Sequence, residues 1–235
     1  WVSRVRSNRE IQMRDAGILT AIDLSTHDFK QDSHLVPAAL CFWNSRFNHF
    51  RFKCGPMGPT VSDVCHLLGF HAVGEDPNAC MKLEKKRDYP LTREHQAYTK
   101  YIGAYSQPEG VVKDQEYYYF LMYWLSRFIF CTPSQRIVNE CSNIAKALVA
   151  GRQLALALHF LSHTYRVCHD LSSYTPYSVN QGGPVWFIQM WLYAYFPELN
   201  VQVRERIPAN FGDKYIRYPP TGKSFFELFK LFFDL

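Results

Sequence analysis

Two histidines of the sequence, His159 and His163, have the spacing of paired metal ligands. They lie four residues apart in an apolar stretch of helical periodicity, so both imidazoles would lie on one face of a helix. Zinc peptidases use this spacing in the motif H-E-x-x-H, where the glutamate is the general base. Here Phe160, Leu161 and Ser162 stand between the histidines, and the glutamate is missing. We therefore expect a structural role for this pair.

A second set of potential metal ligands lies in the first third of the chain. It supplies thiol and imidazole groups at Cys54, Cys65, His66, His71 and Cys80. Zinc sites that can be recognised from sequence usually contain C-x2-C pairs, and these gaps do not show that spacing. The chain has seven cysteines, an odd number, and 235 residues can fold without disulfides. We expect reduced, buried thiols and no metal site.

The sequence contains none of the enzyme motifs that we sought. It has neither the phosphate-binding loop G-x-x-x-x-G-K nor the nucleophile elbow G-x-S-x-G. A transposase would need carboxylates that hold two metal ions, and nothing in the sequence groups the aspartates as ligands. We expect them to be helix caps and solvated charges. The aspartates considered are Asp15, Asp23, Asp28, Asp32 and Asp63.

Basic residues gather in two places. Arg46, Arg51 and Lys53 flank a stretch in which phenylalanines alternate with polar residues, the pattern of a half-buried strand. With His49 or Phe50 they could form a nucleic-acid surface of charge and stacking, or simply the solvated face of an edge strand. The second group lies in a predicted surface loop over residues 71–91, where it could contact phosphates, an acidic protein or only solvent. Its members are Lys82, Lys85, Lys86 and Arg87.

The C-terminal residues predict a helix that is apolar on nearly all sides. Ser224 is a suitable N-cap for it. We expect its aromatic side chains to pack against a partner or against a segment outside this chain. The residues concerned are Phe225, Phe229, Phe232 and Phe233. Because the chain begins at Trp1 and ends within this apolar run, we expect it to be a fragment of a longer protein.

Helical periodicity recurs along most of the chain. Apolar residues from Ile11 to Ile22 predict a short amphipathic helix, and a second predicted helix, capped by Asp32 or Ser33, carries the apolar residues from Leu35 to Trp43. The exception is the strand near residues 47–53, which leads through a turn to a helix with Thr60 as its N-cap and Gly69 as its C-cap. The aromatic run over residues 117–131 is shorter than the roughly 20 residues of a membrane span, so we expect a core helix and no membrane association. The predicted fold is mainly α, a compact helical domain with a small β-hairpin or short sheet near residues 47–53. We expect one globular domain over residues 1–235.

Two blocks of aromatic, glycine and apolar residues stand out in the sequence. The first block is Trp43, Phe47, Phe50, Phe52, Cys54, Gly55, Met57, Thr60, Asp63, Val64, Leu67, Leu68 and Gly69. The second block is Gly182, Gly183, Pro184, Trp186, Gln189, Trp191, Phe196 and Pro197. These blocks resemble the plant mobile domain, a family also labelled aminotransferase-like. The resemblance spans roughly residues 10–200 and departs at Pro56 and Gly58, where the family usually has glutamate and threonine.

The resemblance implies a nuclear, transposon-derived plant protein linked to transposon silencing, gene expression and meristem or genome maintenance. It also implies a protein partner, a phosphatase of the PP7-like long form. Aminotransferase chemistry would need a Schiff-base lysine, pyridoxal phosphate and a large α/β scaffold, and the sequence shows no parallel βαβ pattern. We therefore expect a non-enzymatic protein-interaction domain without a cofactor. The alternative is a nucleic-acid (DNA)-binding domain retained from a transposon, which the net charge of +5 permits.

Overall fold

The computed structural model describes residues 1–79, 95–131, 134, 136–173, 183–199 and 210–235. Their contacts divide the chain into two compact units, one made of residues 1–26 and 68–160 and the other of residues 27–67 and 161–235. The predicted fold class is confirmed, because helices dominate these ranges and three short strands form an antiparallel sheet. The expectation of one domain over residues 1–235 stays a prediction.

The helices and strands follow one another along the described ranges. In chain order they are α1 (Val2–Asp15), α2 (Leu19–Leu24), α3 (Leu35–Leu40), β1 (Trp43–Asn44), β2 (His49–Phe52), β3 (Gly55–Met57), α4 (Val61–Leu68), α5 (Tyr98–Tyr105), α6 (Asp114–Trp124), α7 (Ser142–Val149), α8 (Leu156–Ser173), α9 (Val185–Tyr195), α10 (Phe211–Ile216) and α11 (Phe225–Asp234). A π-helical segment, Leu125–Ile129, continues α6. Within these ranges, no helix combines the length and the apolar character that crossing a membrane requires.

The first unit is organised around α6, which is buried from Tyr117 to Trp124, so the expected core helix is confirmed. Its first turn carries Glu116, whose carboxylate is also buried. This carboxylate accepts hydrogen bonds from the indole N–H of Trp1, at 3.1 Å, and from the guanidinium of Arg4. The two contacts attach the start of α1 to α6, which explains why the polar N-terminal residues are helical.

The helix predicted to begin near residue 11 is two helices in the structure. The break falls at Gly17, whose φ of 66° lies in the left-handed region that glycine adopts readily. Ile11 was expected on the buried face, yet it is exposed, and Val5 and Met13 are the buried positions of α1. The prediction was wrong there because the break at Gly17 separates Ile11 from the apolar residues of α2, so they do not share one helical face.

The predicted strand near residues 47–53 is the central strand of the sheet in the second unit, which has the order β1, β2, β3. Trp43 pairs with Phe50, which pairs in turn with Met57. Because side chains alternate between the faces of a strand, Phe50 and Phe52 both point into the core, as their spacing predicted. Trp43 was expected at the end of α3, but that helix ends before it and Trp43 begins the sheet.

The two sequence blocks that carry the resemblance meet in the core of this unit. Phe50 stacks on Trp191 with ring centroids 5.6 Å apart and an interplanar angle of 18°. Phe52 contacts Phe196 edge-on at 5.2 Å. Aromatic pairs in these geometries add to the free energy gained by burying the rings. The aromatic residues of the blocks therefore hold the sheet against α9.

Three predicted helix ends are confirmed, two by capping contacts and one by the backbone conformation of its glycine. Thr60 and Asp63 bond each other reciprocally at the start of α4: the Thr60 N–H donates to the carboxylate at 2.7 Å, and the Asp63 N–H donates to the hydroxyl at 3.2 Å. The same arrangement joins Ser224 and Glu227 at the start of α11. Gly69, with a φ of 75°, ends α4. Such caps use groups within a few residues, which is why the sequence reveals them.

Candidate functional site

Basic and aromatic side chains share the outer surface of the sheet. Because Phe50 and Phe52 point inward, the intervening side chains of β2 point outward, and the adjoining turns add further exposed cations. We call this surface the basic hairpin face and define it by Arg46, Phe47, His49, Arg51 and Lys53. The structure thus brings together one of the two predicted basic groups. The other group, Lys82, Lys85, Lys86 and Arg87, lies outside the described residues.

Phe47 is the exposed aromatic residue of the basic hairpin face. Its side chain is 63% accessible, whereas Phe50, one of the two stacking residues considered from the sequence, is completely buried. The imidazole of His49 lies nearly parallel to the Phe47 ring, with centroids 6.0 Å apart and planes 23° apart. The guanidinium carbon of Arg46 lies 5.4 Å from the centroid of the same ring. Phe47 lies in the turn before β2, so the alternation of the strand does not show from the sequence that its ring is exposed.

The loop that carries Phe47 has a defined backbone. The Asn44 side chain accepts a hydrogen bond from the N–H of Arg46 at 3.1 Å, and the Asn44 carbonyl accepts one from the N–H of Phe47 at 3.2 Å. Asn48 has a φ of 54°, in the left-handed region that asparagine tolerates better than most residues. The turn therefore holds Phe47 and Arg46 beside each other at the end of the hairpin.

The cations of the basic hairpin face have no ion-pair partner among the residues that the structure describes. Residues 33–62 contain no aspartate or glutamate. Within the described ranges, Arg46, Arg51 and Lys53 form no ion pair, although each is exposed. The next carboxylate along the chain, Asp63, is occupied by the cap of α4 and by the hydroxyl of Tyr195 at 2.6 Å. Such a surface attracts anions.

A second candidate surface lies on α11. Phe226 and Phe233 are 72% and 62% exposed and are seven residues apart, so they lie on one side of the helix. Phe225 and Phe229 are partly exposed and stack in series with Phe233 at centroid separations of 6.4 Å. We call these four residues the phenylalanine face. Phe226 was missing from the predicted set, because the sequence showed a helix apolar on nearly all sides and did not reveal which side faces the core.

Phe232 does not belong to the phenylalanine face. It is completely buried and packs on Phe52 at 5.1 Å and on Phe196 at 5.5 Å. Phe229 is anchored on its inner side by Phe42, with ring centroids 5.1 Å apart. The predicted partner surface therefore loses Phe232, whose side chain is part of the core of the second unit.

A cleft of about 320 Å³ between α4, α9 and α10 contains further polar groups that could suggest catalysis. The hydrogen bond from Tyr195 to Asp63 raises the pKa of Tyr195 to about 12, so the phenol stays protonated at neutral pH. His66 Nδ1 lies 2.7 Å from the carbonyl oxygen of Ser62, and a carbonyl only accepts, so this nitrogen carries the proton. It cannot remove a proton from the Ser62 hydroxyl 3.2 Å away, and the cleft shows no activated nucleophile.

The histidines and cysteines considered as potential metal ligands do not gather in one place within the described ranges. Across the described ranges, no three His, Cys, Asp or Glu residues cluster as a metal ion would require. His71 lies against the carbonyl of Asp15 at 3.2 Å, and His159 contacts the Phe130 ring edge-on. Cys80 lies outside the described residues.

The cysteines are less buried than the sequence led us to expect. Cys141 and Cys168 are buried, and burial raises the pKa of each thiol to about 12. Cys41 and Cys54 are exposed, which contradicts the expectation for them, because their turn and loop positions carry them to the surface. The six cysteines that the structure describes are free thiols.

Asp32 anchors a buried polar network in the second unit. Its carboxylate, 4% exposed, accepts hydrogen bonds from the N–H groups of His34 (2.9 Å) and Leu35 (3.0 Å) and from the N–H and hydroxyl of Thr221 (2.8 and 2.6 Å). Gln189, from the second block of the resemblance, accepts a hydrogen bond from the Asp32 N–H at 2.9 Å. Burial alone raises the pKa of Asp32, but these hydrogen bonds to its carboxylate outweigh burial and lower that pKa below its ordinary value of 3.8. Asp32 was expected to be a helix cap; His34 is the N-cap of α3, and Asp32 lies two residues before it and binds the N–H groups of His34 and Leu35.

Comparison with family models supports the resemblance that these blocks suggested. The model of the plant mobile domain matches residues 17–225, which is most of the chain and includes both blocks. Comparison with the curated proteins gives no match. Comparison with the solved structures gives no match either.

Proposed function

Since the chain belongs to the plant mobile domain family, we propose that it acts as a non-enzymatic protein-interaction module. The phenylalanine face is the observation that carries this proposal. Phe226 and Phe233 expose large apolar rings on a helix whose opposite side is anchored in the core. Phenylalanine, like tyrosine and tryptophan, is enriched at protein interfaces relative to the rest of the surface.

The family suggests the cellular setting of this interaction. We propose a nuclear plant protein, derived from a transposon, that contributes to transposon silencing, gene expression and meristem or genome maintenance. The proposed partner is a phosphatase of the PP7-like long form, which would present an apolar groove to α11. A helix that inserts side chains spaced by three or four residues into a groove is a common mode of recognition.

Substitution of the phenylalanine face tests this proposal. We expect Phe226→Ser combined with Phe233→Ser to weaken binding of the purified phosphatase by roughly 30-fold or more, because two exposed anchors of an interface are lost. Binding is measured by biolayer interferometry with the full 235-residue chain immobilised. Both side chains are exposed, so the free energy of unfolding should change by less than about 1 kcal/mol for the pair.

Phe47→Ser is the matched control, because Phe47 is a similarly exposed phenylalanine that lies on a different surface. It should leave the affinity for the phosphatase unchanged. Equal affinities for the double variant and the unmodified chain would contradict the assignment of the phenylalanine face. Absence of any binding by the unmodified chain would remove the phosphatase as the partner.

Nucleic-acid binding is a second candidate function, and the exposed cations of the basic hairpin face favour it. We expect the affinity for a nucleic acid to fall steeply with added salt, since cations that contact phosphates release counterions. Arg51→Gln should lower the slope of log affinity against log salt by roughly 0.7 to 0.9. Lys100→Gln, an exposed cation on α5, is the control and should leave the slope unchanged. No binding by the unmodified chain at low salt would exclude this function.

A further inference from the structure

We infer that the basic hairpin face binds single-stranded nucleic acid, with a base stacked on Phe47. The inference rests on the second candidate function and adds the class of ligand. Phe47 is the reason for choosing a single-stranded ligand. Its flat ring can stack on a nucleobase, whereas the cations alone would contact the phosphates of single and double strands alike. Phe47 is 63% exposed as a residue, although the Arg46 guanidinium lies over its ring and His49 stacks on it.

The near-parallel rings of Phe47 and His49 form the start of a stacked row. Their planes differ by 23° and their centroids lie 6.0 Å apart, so the two rings are offset and a planar group can extend the row. Every nucleobase has such a planar face, which makes base stacking on aromatic side chains tolerant of sequence. In a duplex these faces are covered by neighbouring bases, so only an unpaired or extruded base can reach the ring.

The cations are placed to follow the backbone of the same strand. His49 and Arg51 point to the same side of β2, two residues or about 7 Å apart, and Lys53 lies in the next turn. At the other end of β2, Arg46 lies over Phe47. A strand of nucleic acid that stacks a base on Phe47 therefore meets positive charge on either side. Charge along a groove or ridge combined with an aromatic platform is the usual composition of single-strand sites.

The loop geometry makes this platform rigid before the ligand arrives. The Asn44 side chain and carbonyl bond the N–H groups of Arg46 and Phe47, and Asn48 turns the chain back into β2. Beneath it, Phe50 is fixed between Trp43 and Trp191 in the core. Binding would then cost little ordering of the protein, which favours affinity.

Fluorescence anisotropy with labelled 12-nucleotide oligomers tests the inference on the full chain. The probes are oligo(dT), oligo(U) and a 12-base-pair DNA duplex at low salt. We expect both single strands to bind more tightly than the duplex. Phe47→Ala should weaken single-strand binding by roughly 5-fold to 150-fold, the range for loss of one stacked base, and Phe47→Trp should restore it. Because Phe47 bears no charge, the salt slope of the Phe47→Ala variant should match that of the unmodified chain.

The results distinguish the two claims, that the basic hairpin face binds nucleic acid and that it binds single strands. Tighter binding of the duplex, together with unchanged single-strand affinity in Phe47→Ala, overturns the single-strand inference and leaves nucleic-acid binding intact. No binding of any probe by the unmodified chain overturns both. Ile11→Ser is the matched control, because Ile11 is an exposed apolar residue that belongs to neither candidate surface, and it should bind every probe as the unmodified chain does. The difference between oligo(dT) and oligo(U) shows whether DNA or RNA is preferred, and a preference for either supports the inference.

Discussion

Replacement of Asp32 with asparagine should lower the free energy of unfolding by about 3 kcal/mol, since the buried carboxylate accepts four hydrogen bonds that an amide cannot all accept. The amide nitrogen of Asn is a donor, so it would face donors of Thr221 or of His34 and Leu35 without a partner. Urea unfolding followed by circular dichroism at pH 7 measures the change.

Asp28→Asn is the control for this substitution, because Asp28 is an exposed aspartate four residues earlier in the same unit. Its effect should stay within about 0.5 kcal/mol. An equally small effect of Asp32→Asn would show that the network contributes little to stability.

The same carboxylate gives stability a defined dependence on pH. The folded state lowers the pKa of Asp32 below its ordinary value of 3.8, so the folded state favours the ionised form. The stabilisation is therefore fully present above the unfolded pKa and is lost as the pH falls through the lower, folded pKa. The difference in unfolding free energy between the unmodified chain and Asp32→Asn should shrink when the pH is lowered from 5 to 3. A difference that grows on acidification would contradict this assignment.

The second large effect is expected in the sheet. Phe50→Ala should lower the free energy of unfolding by about 4 kcal/mol, because it removes a fully buried ring and leaves a cavity beside Trp191 and Trp43. Phe47→Ala, three residues away on the exposed loop, should change it by less than about 0.5 kcal/mol. Urea unfolding of the two variants makes the comparison within one hairpin. Equal effects would mean that the inward and outward assignments of these side chains are wrong.

This contrast between neighbouring phenylalanines shows which parts of the fold could be predicted from the sequence. The alternation of Phe50 and Phe52 with polar residues predicts their burial, because the side-chain period of a strand is fixed by its backbone. The caps at Thr60 and Ser224 could also be predicted from the sequence, since both partners of each cap lie within three residues. The start of a helix without a local cap could not be predicted from the sequence. Helix α1 is the example, because its first turn is held by Glu116 from a distant part of the chain.

For the candidate sites, too, the sequence predicts one part and the tertiary structure decides the rest. The sequence shows that Arg46, Arg51 and Lys53 surround a strand, but it does not show that Phe47 is the exposed ring beside them. That depends on a turn whose hydrogen bonds and left-handed Asn48 point the side chain outward. On α11, the sequence supplies a helix apolar on nearly all sides. Only packing against Phe52 and Phe196 decides that Phe232 is core and that Phe226 is surface.

By itself, then, the sequence determined the family, the mainly helical class, the central strand and several helix caps, because each depends on residue type at short spacing. The tertiary structure alone decided which aromatic rings face solvent, because that choice depends on partners far along the chain. Gln189 illustrates the difference: its place in the second block marks the family, and only its contact with Asp32, 157 residues away, explains what its side chain does.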